Sequence, residues 1–251
     1  MIIHSFLLVG QSNMAGRGFF DEAVSVDISK IVVLRNGRWQ PMYRPINCDR
    51  GFSGVNLAES FAEQYSKKYN VKVGLIPCAD GGTSLEQWRQ GGLLYDNAVM
   101  QVKLAERTST LAGILWHQGE ADCGSDYYPT YGQRLISMLS ALKKDLNAYD
   151  IPVLLGGLGE FLSECELAEH LKNYRYVNEA LSEVAEKIEM TGYVSAEGLE
   201  SNPDNLHFNS KSLYEFGIRY FNVFEKLRKV DKVFCDKVNE DDAIRTDMES
   251  L

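Results

Sequence analysis

Four short clusters of polar and small residues carry the chemistry this chain could perform. They are Gly10-Gln11-Ser12-Asn13-Met14, Asp80-Gly81-Gly82-Thr83-Ser84, Trp116-His117-Gln118-Gly119-Glu120 and Asp204-Asn205-Leu206-His207. Ser12 follows an apolar run that stops at Gly10, which puts its hydroxyl at a strand end as a candidate nucleophile. Taken alone, it would serve equally as a helix N-cap. A serine hydroxyl attacks weakly until a base removes its proton, and His207 is the candidate base. Asp204 precedes His207 by three residues, a spacing that lets the carboxylate reach back and fix the ring tautomer. Asp204 could also simply make the turn after Pro203. His4, inside the first strand, reads as a core or sheet-face residue, and His170, in a polar helical segment, as solvated.

Acyl transfer also needs donors aimed at a developing oxyanion. The candidates are the backbone amide of Ser12, the Gly81-Gly82 turn and the side-chain amide of Gln118. If strand alternation persists past residue 117, Gln118 and Glu120 share one side and His117 takes the other, a structural position. Glu120 has several readings: a second carboxylate behind His207, a replacement for Asp204 as the acid, or a holder of Gln118 or a loop amide. Gln11, Trp88 and Tyr127 are the substrate-binding candidates. Trp88 and Arg89, with Tyr127 and Tyr128, could wall a pocket and stack on a sugar, or pack as ordinary amphipathic aromatics.

The elements that must position these clusters follow from hydrophobic patterning. Apolar, β-branched runs at 2–9, 31–34, 71–77, 111–117 and 152–158, with a weaker one at 192–195, alternate with helix-period segments. The clearest of those segments are 56–69, 95–108, 131–149, 167–190 and 210–229. This alternation predicts an α/β fold with a mainly parallel central sheet of about five strands, covered on both faces. Parallel strands put their carboxyl ends on one edge, so all four clusters should converge there.

The chain of 251 residues suits one α/β domain over 1–230, followed by an acid-rich tail over 231–251. Its net charge of −9 argues against a nucleic-acid surface or attraction to an anionic membrane. No run is long enough to span a bilayer. The first strand lacks the flanks of a signal peptide, so a cytoplasmic location is expected unless a leader has been removed. Five cysteines, with no zinc-like spacing, read as reduced and mostly buried thiols; no metal or cofactor is expected. No Gly-x-Gly-x-x-Gly or Walker-type signature marks a phosphate-binding turn.

Together the Gly-Gln-Ser-Asn-Met, Gly-Gly-Thr-Ser, His-Gln-Gly-Glu and Asp-x-x-His strings, spanning residues 10 to 207, resemble the SGNH (GDSL-type) hydrolase superfamily. Within it they are similar to the sialate O-acetylesterase and acetylxylan-esterase-like carbohydrate esterases. The resemblance implies a three-layer α/β/α, flavodoxin-like fold and a serine esterase that deacetylates carbohydrates without a metal. It implies Ser12 as nucleophile, His207 as base and Asp204 as its acid, with Gly82 and Gln118 joining the Ser12 amide in the oxyanion hole. Gln11 replaces the superfamily's usual Asp before the serine. Gln118 stands where its oxyanion asparagine falls, as is typical of this branch, and Glu120 remains a rival acid. The implied partner is a small acetylated carbohydrate: a xylo-oligosaccharide, a sialic acid or a related sugar. Alternatives are an esterase or thioesterase for non-carbohydrate acyl groups, and a non-catalytic sugar- or anion-binding protein. Ser12, Gln118, Asp204 and His207 together favour the enzyme.

Overall fold

The computed structural model describes residues 3–124 and 126–228. The chain opens on β1 (Ile3–Gly10), buried along all of its length except Ile3. Phe6 and Leu8 enter one core cluster while Leu7 and Val9 enter a second. Successive side chains leave a strand on opposite faces, so the apolar stretch from Phe6 to Val9 must be covered on both. β2 (Ile31–Arg35), β3 (Arg38–Pro41), β4 (Lys72–Pro77), β5 (Thr110–His117), β6 (Val153–Gly156) and β7 (Thr191–Val194) complete the sheet. Its order is β3-β2-β4-β1-β5-β6-β7, parallel throughout except for β3, which runs antiparallel to β2.

The sheet therefore has seven strands rather than about five. β7 forms over the weak apolar run near 192–195. β3 is unexpected, because Arg-Trp-Gln-Pro is polar and ends in proline. Asn36 and Gly37 turn the chain into it, both at positive φ (52° and 75°). That backbone suits a two-residue hairpin, for which Asn-Gly is a strong local signal.

Helices α2 (Ala58–Tyr69) and α7 (Ser210–Leu227) cover one face of the sheet; α3 (Leu93–Ala105), α4 (Tyr131–Asp145) and α6 (Tyr174–Lys187) cover the other. On the first face the Phe6 ring meets Phe61 and Tyr65 edge-on, each at 4.8 Å between centroids, a favourable aromatic geometry. The helical segment expected over 167–190 is broken into α5 (Ala168–Leu171) and α6. The Asn173 side chain at the break donates to the Cys123 carbonyl (2.7 Å), tying the chain to the loop after β5.

Strand register brings the clusters together. Gly10 lies opposite His117, and Leu8 opposite Pro77, so the chain leaves β1, β4 and β5 at the same edge. The chain fills the sheet on one side of β1 before crossing to the other, and such a switch point is where open α/β sheets form their clefts. Gly10 makes the juncture possible. It has φ of +130°, and a Cβ there would stand 2.0 Å from the His117 carbonyl oxygen. Gln11 N donates to that same oxygen (2.9 Å), and Asp80 N donates to the Gly10 carbonyl (3.0 Å).

Cys78, Cys123 and Cys165 are buried and Cys48 is exposed, all four as free thiols. Burial pushes the Cys78 thiol up to about 12, away from any nucleophilic role. Cys235 and the tail at 231–251 lie outside the described residues. Among the described residues no helix is long and apolar enough to cross a membrane.

Candidate active site

Ser12 begins α1 (Ser12–Ala15), one turn of helix directly after β1. The helix is capped by Gln11, whose side chain makes no capping bond, so Ser12 is not spent as an N-cap. As the first helical residue, its amide has no partner within the helix. The Ser12 hydroxyl lies 3.0 Å from His207 Nε2. His207 Nδ1 lies 2.6 Å from Asp204 Oδ2, and Asp204 Oδ1 accepts from the amides of Leu206 and His207, both at 3.0 Å. Partial burial raises the Asp204 pKa, but the hydrogen bonds from the His207 ring and the two amides outweigh it and hold the carboxyl at about 2. With Asp204 ionised, the proton between it and the ring belongs to Nδ1, which leaves the Nε2 lone pair facing the serine.

Glu120 does not stand behind His207. It is buried, and its Oε1 accepts from the Asn13 side chain at 2.6 Å. The expected alternation also fails here: β5 stops at His117, and Glu120–Asp122 form a 3-10 turn, which brings Glu120 Oε1 to 3.8 Å from His117 Nδ1. His117 takes the structural position expected of it. Its Nε2 meets the Gly157 carbonyl at 3.1 Å, and burial pushes its pKa below the usual histidine range. Asn13 Nδ2 also donates to the Leu206 carbonyl (3.2 Å), and its Oδ1 accepts from Phe208 N (3.1 Å). Glu120 therefore braces Asn13, and Asn13 grips the loop on either side of His207.

Gln118 is likewise engaged by other groups. It is fully buried, and its Nε2 lies 2.7 Å from Asp122 Oδ2, 3.1 Å from the Thr83 carbonyl and 3.3 Å from Gln11 Oε1. Three acceptors around one amide leave it no hydrogen for an oxyanion. Asp122, also buried, holds it there while accepting from Leu85 N (2.7 Å) and Arg134 (2.8 Å). The Gly81-Gly82 turn does reach the serine. A Cβ on Gly81 would lie 3.5 Å from Ser12 Cβ, while one on Gly82, at φ of +78°, would meet nothing within 4 Å. Gly82 thus opens onto free space, next in the chain to the glycine that touches Ser12.

The substrate-binding candidates divide. Gln11 is buried, and its Oε1 accepts from the amides of Gly119 (3.4 Å) and Ala121 (3.3 Å), so it shapes the neighbouring turn. Trp88 is 1% exposed, donates to Thr83 Oγ1 (3.0 Å) and packs edge-on against Trp116, so it supports the Gly-Gly loop from beneath. Tyr127 is exposed and free to meet a ligand. Tyr128 stacks on Tyr176 rather than on the site (5.2 Å between centroids).

Several contributors escape a reading of the sequence. Arg17 and Asp49 form an almost fully buried ion pair (2.6 Å) under the Gly81 turn. Burial raises the Asp49 pKa, but hydrogen bonds from Arg17, Ser53 and Gly81 N carry it down to about 2. The segment around Asp49 reads only as a glycine-rich loop; the alternation of charges and small polar residues in it is the available signal. Asn13 is visible within the serine cluster, as a polar residue entering a buried helical turn. Among the described residues no three His, Cys, Asp or Glu side chains are grouped as they would need to be to hold a metal ion.

A sequence model of the family described as carbohydrate esterase, sialic acid-specific acetylesterase, matches residues 3–226. The chain belongs to this family. The esterase is 26% identical over 242 residues to a probable carbohydrate esterase of Arabidopsis thaliana, covering 85% of this chain and 86% of that one. An X-ray structure of the Arabidopsis protein superposes with a TM-score of 0.79, covering 89% of the esterase and 98% of its relative. A carbohydrate acetylesterase from Xanthomonas citri (TM-score 0.64, 15% identity, 89% and 56% covered) shares the fold. So does a lipase/acylhydrolase from Enterococcus faecalis (0.56, 14%, 92% and 100%). The esterase is a carboxylic-ester hydrolase with an SGNH-type α/β fold, as its sequence resemblance implies.

Proposed function

We propose that the protein removes O-acetyl groups from small acetylated carbohydrates through an acyl-enzyme on Ser12. The continuous chain Ser12 Oγ, His207 Nε2, His207 Nδ1, Asp204 Oδ2, with links of 3.0 and 2.6 Å, carries this reading. His207 Nε2 takes the Ser12 proton as Oγ bonds to the acetyl carbonyl carbon, and the carbonyl electron pair moves onto oxygen. The amides of Ser12 and Gly82 receive that oxyanion, as donors already in place when the charge develops. When the tetrahedral centre collapses, the sugar oxygen leaves with the electron pair of its broken bond and takes the proton from Nε2. Water then gives a proton to Nε2, attacks the acetyl-serine carbonyl and releases acetate as the proton returns to Oγ. Asp204 stays ionised throughout and stabilises the imidazolium.

The carbohydrate preference draws support from the family match and from the Arabidopsis relative described as a probable carbohydrate esterase. Hydrolysis of an aryl acetate, of acetylated xylo-oligosaccharides and of O-acetylated sialic acid by wild type and Ser12→Ala tests it. The expected result is release of acetate from a sugar by wild type alone. Faster turnover of long-chain aryl esters or acyl thioesters than of every acetylated sugar would overturn the substrate class, and full activity in Ser12→Ala would overturn the mechanism.

A further inference from the structure

We propose that Arg50 is a positioning residue that aims the Gly82 amide at the oxyanion, an inference resting on the role given to Ser12 above. Arg50 lies between β3 and α2. Its Nη2 donates to the Gly81 carbonyl (2.8 Å), and its Nη1 donates to Asp80 Oδ1 and to the Asp49 carbonyl (both 2.7 Å). The adjacent Asp49 accepts from Gly81 N at 2.8 Å. Two consecutive residues of one loop thus hold both backbone polar groups of Gly81.

The peptide plane links that grip to the next amide. In a trans peptide the carbonyl and the following N–H lie in one plane and point opposite ways. The bond from Gly81 to Gly82 is trans. A guanidinium fixed on the Gly81 oxygen therefore sends the Gly82 N–H away from Arg50. Without it, a Gly-Gly turn is free to rotate that plane, since neither residue has a Cβ to resist. A cation on the carbonyl also polarises the amide and strengthens its N–H as a donor. Stability does not account for the arrangement: the Arg50 side chain is 42% exposed, and an exposed ion pair with Asp80 contributes little.

The test uses the full chain with Arg50→Ala and Arg50→Lys, a 4-nitrophenyl acetate assay, and phenylboronic acid as a tetrahedral mimic of the acylated serine. A whole oxyanion donor is worth about 100- to 1000-fold in kcat, and losing its orientation should cost roughly tenfold. For Arg50→Ala the expected result is that drop in kcat, KM within about twofold, a matching loss of boronate affinity and an unchanged Tm. Arg50→Lys should recover part of the kcat. Unchanged kcat would overturn the proposal. So would a rise in KM alone, which would make Arg50 a substrate contact, or a fall in kcat with boronate affinity unmoved. Failure of the underlying reading shows separately, as full activity of Ser12→Ala or no boronate inhibition of wild type.

Discussion

The Ser12 hydroxyl and His207 Nε2 lie 3.0 Å apart although 195 positions separate them in the chain. Ser12 is delivered by the end of β1, whereas His207 comes from the connection between β7, at the sheet edge, and α7. That connection is held by the Asn202 N bond to the His207 carbonyl (2.7 Å) and by the Asn13 bonds on either side of the ring. His207 is thus placed by groups outside the Ser12–His207–Asp204 chain.

The two carboxylates should separate on mutation. Asp204→Asn removes the anion that fixes the ring tautomer and should lower kcat by on the order of 1000- to 10,000-fold. Glu120→Gln keeps an oxygen for the Asn13 side chain and should lower kcat by less than about tenfold. Parallel kinetics on the aryl acetate check this, and a reversed order would make Glu120 the acid.

Asn13→Ala should act through placement. It removes the grip on the Leu206 carbonyl and the Phe208 amide and strips Glu120 of its donor. A shift of about 1 Å in the His207 loop can cost about 100-fold in rate. Leaving buried polar groups unpaired should also lower stability by about 1–3 kcal/mol. Kinetics and urea denaturation on one preparation read both effects.

Acid should weaken the fold through Asp49 and Asp204. Both carboxyls fall from an ordinary value of 3.8 to about 2 in the folded protein. A depressed folded pKa contributes stability that is fully present above the unfolded value and is lost as pH falls through the folded one. Urea midpoints should therefore drop between about pH 4 and pH 2. Asp49→Ala leaves Arg17 buried without its carboxylate and should cost about 3–5 kcal/mol at neutral pH. It should also flatten part of the acid limb; an unchanged pH dependence would contradict that assignment.

Gly10→Ala should damage fold and site together. The positive φ alone costs a side chain more than about 1 kcal/mol, and the clash with the His117 carbonyl adds to that. Circular dichroism melts and the aryl acetate rate should fall together.

Much of the site is legible in the sequence because its chemistry is local. Asp204 and His207 are three positions apart, and an apolar run ending Gly-Gln-Ser is a strand followed by a turn. The sheet is legible for the same reason: β1, β4 and β5 each carry an uninterrupted apolar stretch, 6–9, 75–77 and 114–116. What escapes depends on contacts between distant segments. Gln118 can be placed at a strand end, but its direction is set by Asp122 and Thr83. Trp88 reads as a pocket wall because aromatic character does not say which side of a loop is inside. Arg17 and Asp49 lie 32 positions apart, and nothing in either neighbourhood announces a buried pair. β3 has a legible Asn-Gly turn, but a short polar strand has no hydrophobic alternation to support it.

The proposed mechanism turns on Ser12 taking the acyl group, with His207 as its base. Treating the folded protein with a fluorophosphonate and mapping the adduct by peptide mass spectrometry tests it directly. One adduct per chain is expected, on Ser12, forming far more slowly in His207→Ala and absent in Ser12→Ala. An adduct on another residue, or none while wild type still hydrolyses the aryl acetate, would contradict it.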